Sequence, residues 1–114
     1  MKKICVIGLG YVGLPLAIEF GKKYEVVGFD INQLRITELK NGLDRTKEID
    51  ASELSKTSIV FTAESKYLED CDFFIITVPT PVTNSKQPDL RPLIKASELI
   101  AKYLKKGDIV VYES

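Results

Sequence analysis

The chain has 114 residues, 16 basic and 16 acidic, with zero formal net charge and no histidine. That length suits one domain that buries roughly two-thirds of its unfolded surface. The balanced charge gives no electrostatic reason to expect a nucleic-acid or membrane-surface partner, and the missing histidine removes Ser-His and Cys-His nucleophiles and most zinc sites.

Residues 3–7 are predicted as a strand, apolar through Ile4, Cys5, Val6 and Ile7, as expected when both faces are covered. Gly8 and Gly10 then break the apolar stretch, so the Met1-Lys2-Lys3 start does not develop into a signal peptide, and a cytoplasmic protein is expected. A helix is predicted over 11–22, with Leu14, Ala17, Ile18 and Gly21 at helical spacing and Pro15 in its first turns, where a missing N–H is tolerated. The second strand, 25–29, ends at Asp30. Asn32 is positioned to cap a helix carrying Ile36 and Leu39, with Gly42 as its stop signal.

Residues 43–56 are polar and open to several readings, with a short helical turn near Glu53 as one of them. A third strand over 58–62, a short helix or turn over 64–70, and a strongly apolar fourth strand over 72–78 follow. After a proline-containing loop over 79–88, Asp89 is expected to cap a long helix with Leu93, Ala96, Ile100, Tyr103 and Leu104 on one stripe. Lys105 and Lys106 suit the C-terminal dipole of that helix, Gly107 ends it, and residues 109–112 begin a fifth strand. Cys5 and Cys71 are read as small core residues, and no metal site is expected.

Buried strands alternating with helices predict an α/β chain: a Rossmann-type, doubly wound parallel sheet of order 3-2-1-4-5 with helices on both faces. The chain stops within or just after the fifth strand, which suggests that 1–114 is a dinucleotide-binding domain cut from something longer.

Gly8-x-Gly10-x-x-Gly13 lies between the first strand and the first helix. Gly8 permits a tight turn, Gly10 lets the backbone approach a diphosphate, and Gly13 lets the helix pack on the strand. The helix N-terminus offers unpaired N–H groups and about half a positive charge. Asp30 ends the second strand 20 positions after Gly10, where an acid can accept bonds from the adenine-ribose hydroxyls. Its charge favours NAD over NADP. Arg35 is the counter-argument, because a nearby arginine can hold a 2′-phosphate; it can also stack on adenine or touch the diphosphate. Val78-Pro79-Thr80-Pro81 should border the cofactor at the topological switch point, with the Thr80 hydroxyl available to ribose or phosphate. Glu113 and Ser114 lie on the same edge.

The run Gly8-Leu9-Gly10-Tyr11-Val12-Gly13-Leu14-Pro15-Leu16-Ala17 resembles the opening of the UDP-glucose/GDP-mannose dehydrogenase family. Phe29-Asp30-Ile31-Asn32 with Arg35, Val78-Pro79-Thr80-Pro81, and Pro88-Asp89-Leu90 carry the same resemblance. Residues 106–114 resemble the branch acting on UDP-N-acetylhexosamines in capsule and O-antigen synthesis. The resemblance implies oxidation of C6 of a nucleotide sugar to the acid with NAD, and a homodimer at full length. It also implies backbone contacts to the diphosphate around Tyr11 and Val12, with Asp30 and Arg35 on the adenosine half and Thr80 on the nicotinamide half. The family's nucleophilic cysteine and its catalytic lysine, asparagine and aspartate lie in later domains. Cys5 and Cys71 match none of them, so no catalytic residue is expected here. Two other classes compete: a self-contained regulatory NAD-binding module, such as a ligand-sensing domain of a potassium transporter, and a short-chain reductase. The reductase is disfavoured because no tyrosine has a lysine four positions on.

Overall fold

A computed structural model describes residues 3–113. Five strands, β1 (Lys3–Ile7), β2 (Glu25–Phe29), β3 (Val60–Thr62), β4 (Phe73–Ile76) and β5 (Ile109–Tyr112), form one parallel sheet of order β3-β2-β1-β4-β5. This is the expected fold and strand order. Helices α1 (Gly13–Gly21), α2 (Gln33–Lys40), α3 (Ala51–Lys56) and α4 (Arg91–Ala101), with a 3-10 turn over Ser65–Leu68, make the crossovers. Among the described residues no helix is long and apolar enough to cross a membrane.

The sheet is covered on both sides because its strands alternate between two apolar clusters with the period of two of an extended chain. Ile4 and Val6 of β1 join Leu14, Ala17, Ile18, Ile36 and Leu39 on one face. Cys5 and Ile7 join Phe74, Ile76, Ala96 and Ile100 on the other. Cys5 and Cys71 are both buried and not joined by a disulfide, as expected of core residues. Burial and the neighbouring Cys71 push the Cys5 thiol up, which makes it a poor nucleophile.

Local signals set most helix ends. The Asn32 side chain accepts from the Arg35 N–H at 3.2 Å and starts α2. Gly42, at φ +82, ends it in a Schellman motif: Leu43 N–H donates to Glu38 O and Gly42 N–H to Leu39 O. The uncertain stretch after it contains α3, capped by Asp50, which accepts from Glu53 N–H at 2.8 Å.

The last helix departs from expectation at both ends. Its N-cap is Leu90, while Asp89 lies one residue outside and grips Arg91 through its side chain and its N–H. The helix stops at Ala101 instead of reaching Lys106. Tyr103 still packs against the core from a turn, Leu104 is exposed, and Gly107, at φ +92, belongs to the later turn closed by Asp108 N–H on Lys105 O.

Candidate functional site

In this order the chain leaves β1 in one direction and β4 in the other, so a crevice opens beyond their carboxyl ends. A cleft of about 700 Å³ lies there. Of the expected residues, Gly8, Gly10, Tyr11, Val12, Asp30, Arg35, Val78, Pro79 and Thr80 line it, and Glu113 borders it. Ser114 lies outside the described residues. Gly13 stands behind the wall: a Cβ there would sit 1.7 Å from Gly8 O and 2.4 Å from Thr77 Oγ1, so only glycine lets α1 start this close to β1. Gly8 adopts φ +96, the left-handed region that glycine enters without strain. A Cβ at Gly10 would meet nothing within 4 Å, so the backbone here is open to a ligand.

No side chain caps the N-terminus of α1. A helix start leaves N–H groups without intrahelical partners and concentrates positive dipole there. Asp30 lines the same cleft, against the glycine turn. One of its oxygens accepts from Leu9 N–H at 2.9 Å and the other from Asn32 N–H at 3.0 Å. A carboxylate has about four lone-pair sites, so acceptor capacity remains for ribose hydroxyls.

Arg35 is buried at 9% exposure. Its Nε donates to Leu9 O at 2.8 Å, Nη2 donates to the same oxygen, and Nη1 donates to Asp44 Oδ1 at 2.8 Å. The Leu9 peptide units are therefore held from both sides, the N–H by Asp30 and the carbonyl by Arg35.

Three contributors escaped the sequence reading. Asp44 emerges from the stretch without periodicity. It accepts from Thr46 N–H and Oγ1, from Glu48 N–H and from Ile49 N–H, besides Arg35, all within 3.0 Å. Burial alone would raise its carboxyl, but the bonds from Thr46, Ile49 and Arg35 outweigh burial and lower it to about 2. Thr77, concealed in an apolar strand, has its hydroxyl 2.6 Å from Gly8 O and 3.0 Å from Ile7 O, tying the glycine turn to the end of β4. Pro92, Lys95, Ala96 and Leu99 of α4 complete the wall. A threonine at the end of an apolar run is the one signal that could have drawn attention to Thr77. A second hollow of about 330 Å³, at the β3 edge between Leu39, Phe61 and Tyr67, contains none of the expected residues.

The cleft fits a dinucleotide: an open backbone at Gly10, an uncapped helix start, and a carboxylate in the same cleft with acceptors to spare. Comparison with known proteins agrees. Residues 2–114 match the profile of the UDP-glucose/GDP-mannose dehydrogenase family, NAD binding domain. A UDP-N-acetyl-D-glucosamine 6-dehydrogenase of Pseudomonas aeruginosa is 64% identical over 113 residues, covering 98% of this chain and 27% of the relative. Protein CapL of Staphylococcus aureus is 52% identical, covering 99% of this chain and 27% of CapL. The solved structure of a UDP-D-ManNAc dehydrogenase from Pyrococcus horikoshii superposes with TM-score 0.90 at 36% identity, over 99% of this chain and 28% of that one. The chain thus spans a little over a quarter of the length of these relatives.

Proposed function

Because the chain belongs to the UDP-glucose/GDP-mannose dehydrogenase family, as its NAD-binding domain, we propose that it serves a nucleotide-sugar 6-dehydrogenase that oxidises C6 of a UDP-N-acetylhexosamine to the uronic acid. The observation that carries the cofactor reading is Asp30, which shares one cleft with an uncapped helix start and a glycine turn open at Gly10. The 64% identity to a protein named UDP-N-acetyl-D-glucosamine 6-dehydrogenase supports the sugar class. We place the whole protein in the cytoplasm and expect it to act as a homodimer.

NAD supplies the hydride acceptor for the oxidation. The chain's own residues bind and orient it. The backbone of Gly8, Gly10, Tyr11 and Val12 receives the diphosphate at the dipole of α1. Asp30 accepts the adenine-ribose hydroxyls. Arg35 forms the floor of the adenosine end while holding Leu9. Val78, Pro79 and Thr80 line the nicotinamide half, with the Thr80 hydroxyl exposed in the cleft. None of these groups is a nucleophile, and both cysteines are buried in the core. This chain should therefore bind NAD and oxidise nothing by itself. A regulatory NAD-binding module would share the cleft, but it has no need of the Pro79-Thr80-Pro81 loop or the polar stretch to Pro88, and the family match supports the dehydrogenase.

Calorimetry tests the reading. NAD should bind the unaltered chain, and Asp30→Ala should weaken it about tenfold to a hundredfold, because a bond to a charged group is worth about 1.5–3 kcal/mol. Unchanged affinity would remove Asp30 from the site. NADH production from any UDP-sugar by this chain would refute the absence of a catalytic residue.

A further inference from the structure

We propose that Asp44 is a positioning residue that sets cofactor choice: by holding the Arg35 guanidinium beneath Leu9, it keeps that cation from serving a 2′-phosphate, so the cleft takes NAD and refuses NADP. The proposal rests on the dinucleotide reading of the cleft.

An arginine close to the strand-end acid is the residue type that accommodates a 2′-phosphate. Arg35 stands five positions after Asp30 and lines the same end of the cleft, yet its fork is already engaged, with Nε and Nη2 on Leu9 O and Nη1 on Asp44. Asp44 is fixed in its turn. Its side chain is fully buried, and three backbone N–H groups and one hydroxyl of Thr46, Glu48 and Ile49 hold its two oxygens. A guanidinium moving towards a phosphate would leave behind a buried carboxylate that cannot follow it. The pair is also neutral as a unit. The neighbouring lining residues Ile31 and Asn32 carry no charge, so Asp30 is the uncompensated charge that a 2′-phosphate would meet.

Calorimetric titration of this chain with NAD and with NADP decides it. The unaltered chain should bind NAD far more tightly than NADP. Asp44→Asn, checked for folding by circular dichroism, removes the charge that holds the guanidinium. It should narrow the NAD-to-NADP ratio by at least about tenfold. Adding Arg35→Met should restore the wild-type ratio, although both dinucleotides bind more weakly, because the gain for NADP needs the guanidinium. Asp44→Asn alone leaves a buried arginine without its carboxylate, a costly change. The double variant removes both members of the pair and is the safer background. There, a wild-type ratio supports the proposal, and a wider ratio overturns it by showing that Arg35 already serves the 2′-phosphate. A folded Asp44→Asn chain with the wild-type ratio also overturns it. Failure of the unaltered chain to bind NAD would instead sink the dinucleotide reading itself, and the proposal with it.

Discussion

Leu9 shows how single contacts shape this cleft. Its N–H is taken by Asp30 and its carbonyl by Arg35, so two ionic side chains from one βα unit hold the glycine turn before any ligand arrives. Such preorganisation reduces the ordering cost of binding. The second and third glycines of the motif test different physics. Gly10→Ala should leave thermal stability within about 0.5 kcal/mol, since its methyl enters open space, but should lower NAD affinity by intruding on the diphosphate. Gly13→Ala forces a Cβ onto Gly8 O and should destabilise the fold by several kcal/mol in chemical denaturation. Equal stability losses in the two variants would contradict this assignment. The motif glycines and Asp30 were legible in the sequence because their spacing is local and fixed by a turn, a helix start and a strand end. Asp44 and Thr77 were not. Asp44 is one acid in a polar stretch, and nothing in its local pattern marks it as the buried partner of Arg35, nine positions earlier. Thr77 reads as the end of an apolar strand until its hydroxyl is seen on Gly8 O.

At the level of elements, the strands were readable because β1 to β4 bury most of their residues and β5, though half-exposed, is still an apolar run, so all five stand out against polar loops. Helix ends were readable where a capping residue touches the helix. Asn32 and Gly42 met that condition. Asp89 binds the first residue of α4 from one position outside the cap, so the start fell one residue later than expected, and Tyr103 extended the apolar spacing beyond the true end of α4 because it packs from a turn. Gly42→Ala should therefore cost about 1 kcal/mol, the usual penalty for a Cβ at positive φ, readable as a lowered denaturation midpoint. The turn built on Asp44 makes a pH-dependent contribution. Its carboxyl titrates at about 2 in the fold against an ordinary 3.8, so the stabilisation, roughly 2 kcal/mol, is fully present above the ordinary value. It is lost as pH falls from about 4 towards 2. Asp44→Asn should be less stable at neutral pH by about 3–5 kcal/mol, and its stability should fall less steeply across that acid range. Parallel acid-unfolding curves for the two chains would contradict this role.

At the scale of the whole molecule, the order β3-β2-β1-β4-β5 produces the crevice. Strand and helix periodicities supply the alternation of elements, and the doubly wound rule supplies that order, with the glycine turn, Asp30 and Val78–Thr80 in one cleft. The cleft and the β3-edge hollow are separate places on the surface, so ligand mapping by residue tells them apart. The most direct test is an amide chemical-shift titration of this chain with NAD. The largest shifts should fall at Gly8, Gly10, Tyr11, Val12, Asp30 and Thr80. Shifts centred on Phe61 and Tyr67, or none at the glycine turn, would contradict this placement.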